Sequence, residues 1–137
     1  MPEGVMKMDK WVITLCLDED ESIEQRFAQA IKYGSAYYGG DVWVVSEVDA
    51  TGVLGNQLTQ LLNKTPFTYV TTSDLLNIIE EDGQIFDMEA TLKKEDHAIF
   101  QAQVLDGHLI DVLGTGPLEP SPLLGKYKPN DVSLFVW

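Results

Sequence analysis

The apolar residues of this chain change their spacing once, between Ile79 and Phe86, and that change limits the fold more than any other feature. Before it, β-rich apolar runs alternate with segments whose apolar residues recur every three or four positions; after it, they recur every second position. Trp11–Leu17 is the first run, closed by acids, and reads as a strand buried on both faces. Ser22-Ile-Glu-Gln25 then fits a capping box, in which hydroxyl and amide side chains satisfy free backbone N–H groups. Ile23, Phe27, Ala30 and Ile31 keep helical spacing, with Arg26, Gln29 and Lys32 between them. This predicts a helix from Ile23 to Tyr33, at its longest to Tyr38, stopped by Gly39-Gly40.

Asp41–Val48 is a second apolar strand with Asp49–Gly52 as its exit loop. Leu54, Leu58, Leu61 and Leu62 mark a second helix, closed by Asn63–Pro66. Phe67–Thr71 reads as a third strand, and Thr72 or Ser73 as the cap of a helix carrying Leu75, Leu76 and Ile79, with Gly83 as its left-handed stop. Phe86, Met88, Ala90 and Leu92 then alternate with polar residues, as do Phe100, Ala102 and Val104. Asp106-Gly107 signals a two-residue hairpin turn into His108–Leu113. Residues 114–130, rich in proline and glycine, form an irregular crossing, and Val132–Trp137 reads as a packed last strand. The expectation is an α/β domain with a mixed sheet, β-α-β-α-β-α followed by an antiparallel β-meander and a C-terminal strand. Its first strands pair in parallel through right-handed crossovers.

At 137 residues the chain is expected to be one domain, residues 1–137, with 1–10 a flexible N-terminus. A chain of this length buries about two-thirds of its unfolded surface, enough for a core without disulfides or metal. Cys16 is its one cysteine, which excludes an internal disulfide. No apolar stretch of signal-peptide type precedes Trp11, so a cytoplasmic location is expected. No run is long and apolar enough to span a bilayer.

Charge separates the function classes. Twenty-two acids against nine bases give a net charge of −13, Arg26 is the lone arginine, and the acids lie in both halves of the chain. Such a surface repels DNA, RNA and anionic membranes and speeds association with basic ones.

Three stretches invite a chemical reading. If the first three strands are parallel, Asp18–Glu21, Asp49 and Thr71–Asp74 stand at a shared carboxyl edge, where hard oxygen ligands hold Mg²⁺ for phosphoryl transfer or hydrolysis. Caps explain the same residues, and no Asp-x-Asp-x-Thr spacing is present. Gly52-Val-Leu-Gly55 precedes a helix but lacks the lysine and further glycines of a phosphate loop, and reads as a turn. Tyr33, Tyr37, Tyr38 and Trp43 gather around Gly39-Gly40, either as an interface or, the better reading, as a roof over the core.

His97 opens a strand and Asp111 follows in the next, an arrangement that resembles the His–Asp hairpin of papain-like and transglutaminase-like folds. The resemblance spans residues 97–111 and implies cysteine-hydrolase chemistry or an inactive relative. In those folds the cysteine opens a helix, where the dipole lowers its pKa; here the predicted strand holds Cys16, and the helix opens with Ser22. A two-residue turn pairs Ala102 with Asp111, which puts Asp111 on the apolar face with Val104 and Phe100, and His97 on the other. A buried Asp111 then requires a hydrogen-bond partner or a raised pKa.

The residues complete no catalytic set and call for no cofactor. The leading expectation is therefore a small acidic non-enzymatic protein that covers a basic surface of a partner protein, as inhibitors, immunity proteins and nucleic-acid mimics do. A nucleic-acid-processing enzyme is one such partner. The acids expected to do this are Asp18, Glu19, Asp20, Glu21 and Glu24, then Glu80, Glu81, Asp82, Asp87 and Glu89. Phe86, Met88 and Ala90 should face inward, so Asp87 and Glu89 project outward.

Overall fold

The computed structural model describes residues 9–63, 68–135 and 137. Seven strands and three helices follow in the order β1 (Lys10–Leu15), α1 (Ile23–Tyr38), β2 (Val42–Ala50), α2 (Gly52–Leu62), β3 (Thr68–Thr71), α3 (Thr72–Ile79), β4 (Ile85–Lys94), β5 (His97–Leu105), β6 (Leu109–Thr115) and β7 (Tyr127–Pro129). All seven strands join one sheet in the order β3-β2-β4-β5-β6-β1-β7. The expected residues 1–8 of the flexible terminus, the helix-closing residues 64–66 and Phe67 lie outside the described residues; Lys10 already belongs to β1.

Every pairing is antiparallel, which corrects the expected parallel first half. The pairings make β1 and β2 run in the same direction, as a helical crossover allows, but β6, β5 and β4 lie between them. Helix-linked strands need not be neighbours, and here the meander fills the gap.

All three helices cover one face of the sheet. Phe27, Ala30 and Ile31 of α1, Leu54 and Leu58 of α2, and Leu75 and Ile79 of α3 pack against Ile13, Trp43, Val45, Met88, Ala90, Leu92, Phe100, Ala102 and Val112. The alternation of β4 and β5 into this layer is what their two-residue period requires. At its centre Phe100 meets the rings of Trp11, Tyr33, Tyr38 and Trp43, with centroids 6.3, 5.9, 5.5 and 6.0 Å away. Gly34 makes this crossing possible: a Cβ there would lie 2.6 Å from Phe100 Cδ2.

The local signals hold at α1. Gln25 N–H donates to Ser22 Oγ at 3.1 Å and Ser22 N–H to Gln25 Oε1 at 3.5 Å, and Gly39 closes the helix at φ 70°. Elsewhere boundaries move. Thr71, not Thr72 or Ser73, caps α3 by accepting from Asp74 N–H at 3.2 Å. Gly83 has φ 151° and is no left-handed stop; it lets the chain pass Thr51, whose carbonyl a Cβ would strike. Gly52-Val-Leu-Gly55 forms the first turn of α2 and is not a separate turn.

Val132–Leu134 forms a short 3-10 helix in place of the expected strand, and β7 lies inside the stretch expected to be irregular. Asp131 caps that 3-10 helix through Ser133 N–H at 2.9 Å, which favours turning over extension.

Candidate functional site

The strand directions decide where the acids stand. The C-terminal ends of β1 and β2, the start of β4 and the β5–β6 turn share one edge of the sheet, and α3 runs back toward it from Thr71 at the opposite edge. Asp18–Glu24, before and within the start of α1, and Glu80–Asp82, after α3, therefore arrive at the same edge although sixty residues apart. Of these acids Glu21 and Glu24 from the first row and Glu80, Glu81 and Asp82 from the second line one groove of about 670 Å³, with Lys32 among its other lining residues.

Within it the carboxylates do different things. Glu24 Oε2 accepts Ile85 N–H at 3.0 Å and ties α1 to β4. Glu21 accepts from Asp18 N–H at 2.9 Å and from the Arg26 guanidinium at 3.1 Å. The Asp18 amide, first, holds its carboxyl below the usual range; desolvation opposes it, and the charge and hydrogen bond of Arg26 add to the lowering. Glu19, Asp20, Glu80, Glu81 and Asp82 are exposed. Among the described residues the ion pairs are Arg26–Glu21 and a long, exposed Lys126–Asp18 contact at 3.7 Å.

The Glu80–Asp82 turn is held firmly by its backbone. Glu80 N–H donates to Leu76 O and Glu81 N–H to Ile78 O, while Asp82 O accepts Leu54 N–H from α2 at 3.0 Å. The same bond occupies an amide at the start of α2, within Gly52–Gly55. Three acids thus sit at the negative end of α3, with no basic residue in its last turn.

Asp87 and Glu89 do not join this groove. They border a second depression of about 370 Å³ with Glu47 and Asp49, beside the irregular pairing of β2 with β4 where Glu47 adopts φ 54°. That irregularity puts Ile85 into the core and leaves Phe86 37% exposed, so Phe86 does not face inward as its spacing suggested. Asp87 and Glu89 are half-buried instead of projecting freely. Asp87 accepts Asp106 N–H at 3.2 Å, and burial, reinforced by Glu47, raises the pKa of Glu89.

The strand-end acids do not meet. Asp18 follows β1 and Asp49 lies on β2, four strand spacings or about 19 Å apart, while Thr71–Asp74 stands at the far edge. No group of three His, Cys, Asp or Glu side chains among the described residues is arranged to hold a metal ion.

The hairpin differs from its expected register. Asp106-Gly107-His108 is a three-residue turn, because Phe86 O takes Gly107 N–H at 2.8 Å and Asp87 takes Asp106 N–H. Asp111 therefore pairs with Gln103, not Ala102, and lies on the helix-free face, where it accepts from Thr14 Oγ1 at 2.6 Å. His97 stands six residues from Gln103 along β5, about 20 Å away, and is exposed. Cys16 lies just beyond β1, half-buried, so cysteine, histidine and aspartate are not assembled.

Tyr33, Tyr38 and Trp43 do roof the core, whereas Tyr37 is 47% exposed and stacks on Tyr33. The role of Arg26 is not legible in the helical pattern: it falls between the apolar positions of α1, yet is 2% exposed. Its guanidinium donates to the carbonyls of Cys16, Leu124 and Lys126 as well as to Glu21. That it is the only arginine beside eight lysines was the available signal, because the planar fork suits several fixed acceptors at once.

No family model, curated protein or solved structure matches this chain. Among the described residues no helix is long and apolar enough to cross a membrane.

Proposed function

We propose that this protein is a non-enzymatic binding protein whose acidic end covers a basic surface of a partner protein. One observation carries the reading: acids from two rows far apart in sequence, Glu21 and Glu24 of one and Glu80, Glu81 and Asp82 of the other, line one groove. Their arrangement is locally unfavourable, since Glu80, Glu81 and Asp82 crowd the negative end of α3 opposite Glu21 and Glu24. A cationic partner relieves that repulsion, and the rigid turn presents the acids with little ordering to be done on binding. An inhibitor, an immunity protein and a mimic of nucleic-acid phosphates all act this way, and a nucleic-acid-processing enzyme is a fitting target.

The test is capture from lysate of the source cell on the tagged full chain, beside the triple variant E80K/E81K/D82K. The expected result is one stoichiometric basic protein, released by high salt because charge steering is screened, and absent from the variant. Capture of the same proteins by both chains, or of none by either, overturns the reading.

A further inference from the structure

We propose that Asn130–Phe135, with Trp137 beyond it, is a displaceable strap that closes an apolar strip on the helix-free face of the sheet. Lys10, Val12 and Thr14 point to this face, opposite Trp11, Ile13 and Leu15, which belong to the helix-side layer. Val12, Val44 and Leu113 are buried yet lie outside the helix-side core, and Gln101 and Asp111 are buried on the same face. None of the three α-helices covers them. After β7, the outermost strand, the chain comes over this side, with Asn130 at Thr14 and Phe135 at Lys10.

Its attachments are few. Asn130 N–H donates to Val12 O at 2.8 Å and Asn130 Nδ2 to Thr14 Oγ1 at 2.8 Å. Beyond Asn130, the backbone bonds among the described residues are internal, Leu134 N–H to Asp131 O and Phe135 N–H to Val132 O. Lys10 Nζ sits 4.8 Å from the Phe135 ring centroid, and Phe135 packs on Trp137 with centroids 4.2 Å apart. Val132 and Leu134 are 50% and 47% exposed and add little. Trp137 borders a cleft of about 360 Å³ with Val44, Tyr69, Thr91, Lys93 and Gln101, but its indole N–H is buried without an acceptor among the described residues.

A segment that pairs with the sheet at one backbone bond and leaves a buried donor unsatisfied detaches more easily than the sheet unfolds. Its release uncovers Val12, Leu113 and Val44 while the helix-side core stays intact. The fold thus holds a second surface, closed at rest and remote from the acidic groove.

The test uses hydrogen exchange on the full chain and dye binding on full-length Trp137→Ala and Asn130→Ala variants. Leu134 and Phe135 amides should exchange at least about 100-fold faster than those at the centre of β5, as local opening requires. Both variants should keep a cooperative melt and bind several-fold more of a hydrophobic-surface dye. Equal protection of the strap and β5 overturns the proposal, as does unchanged dye binding. If Trp137→Ala loses cooperative unfolding, Asn130→Ala decides; loss in both makes the segment part of the core and overturns the proposal as well.

Discussion

The Arg26 guanidinium lies 3.1 Å from the Glu21 carboxylate, and its two terminal nitrogens also donate to the carbonyls of Cys16, Leu124 and Lys126. One buried side chain of α1 therefore fastens the segment leaving β1 and the segment entering β7. Gly125 adopts φ 60° against it, and a Cβ there would come 2.9 Å from the guanidinium. Arg26→Ala strips donors from three carbonyls at once and should cost about 3 kcal/mol in urea unfolding. Arg26→Lys should recover only a minor part, because a single ammonium cannot follow the fork.

Glu21 gives the acid limb of stability a defined direction. Its folded pKa lies below the ordinary 4.5, mainly through the Asp18 amide and then Arg26. Its contribution is therefore complete above that ordinary value and disappears as pH falls through the folded one. Glu21→Gln should flatten the melting-temperature profile below about pH 4.5, and an unchanged slope there would contradict the assignment.

Glu89 acts in the opposite sense. Burial, with Glu47 nearby, raises its pKa, so its stabilising contribution is complete below the ordinary value and is lost as pH rises through the raised one. Glu89→Gln should stabilise the protein at neutral pH by about 0.5 kcal/mol and leave it unchanged in acid. Paired denaturation curves at the two pH values check this.

Repulsion at the acidic end predicts a response to salt. Replacing Glu80, Glu81 and Asp82 by their amides should raise the melting temperature at low ionic strength, and the gain should shrink as salt screens the remaining charges. The same substitutions should weaken partner capture, so stability and binding move in opposite directions.

Gly34 and Phe100 form a coupled pair. Alanine is favoured over glycine in a helix by about 1 kcal/mol, but here its Cβ meets Phe100 at 2.6 Å and Trp43 at 2.9 Å. Gly34→Ala should destabilise by about 1–2 kcal/mol. In a Phe100→Leu background the cost should shrink, and a double-mutant cycle reads the coupling.

Much of the secondary structure was legible because its signals are local. Ser22, Gln25 and Gly39 fix α1 through bonds within a turn, and the alternation of Met88, Ala90 and Leu92 is a property of a strand in isolation. The convergence of the acidic rows was not legible, although every one of those acids was named from the sequence. It depends on α3 returning to the edge from which α1 departs, a consequence of strand order. The position of Asp111 was lost for a related reason: Phe86 O captures Gly107 N–H from a neighbouring strand, and one added turn residue moves every later side chain to the opposite face. Composition and period determined an acidic protein of helices and alternating strands, since charge and amphipathicity are written residue by residue. Which strands are neighbours, which acids share a groove and where the lone arginine is buried were decided by contacts between residues distant in sequence, and those exist only once the sheet has closed.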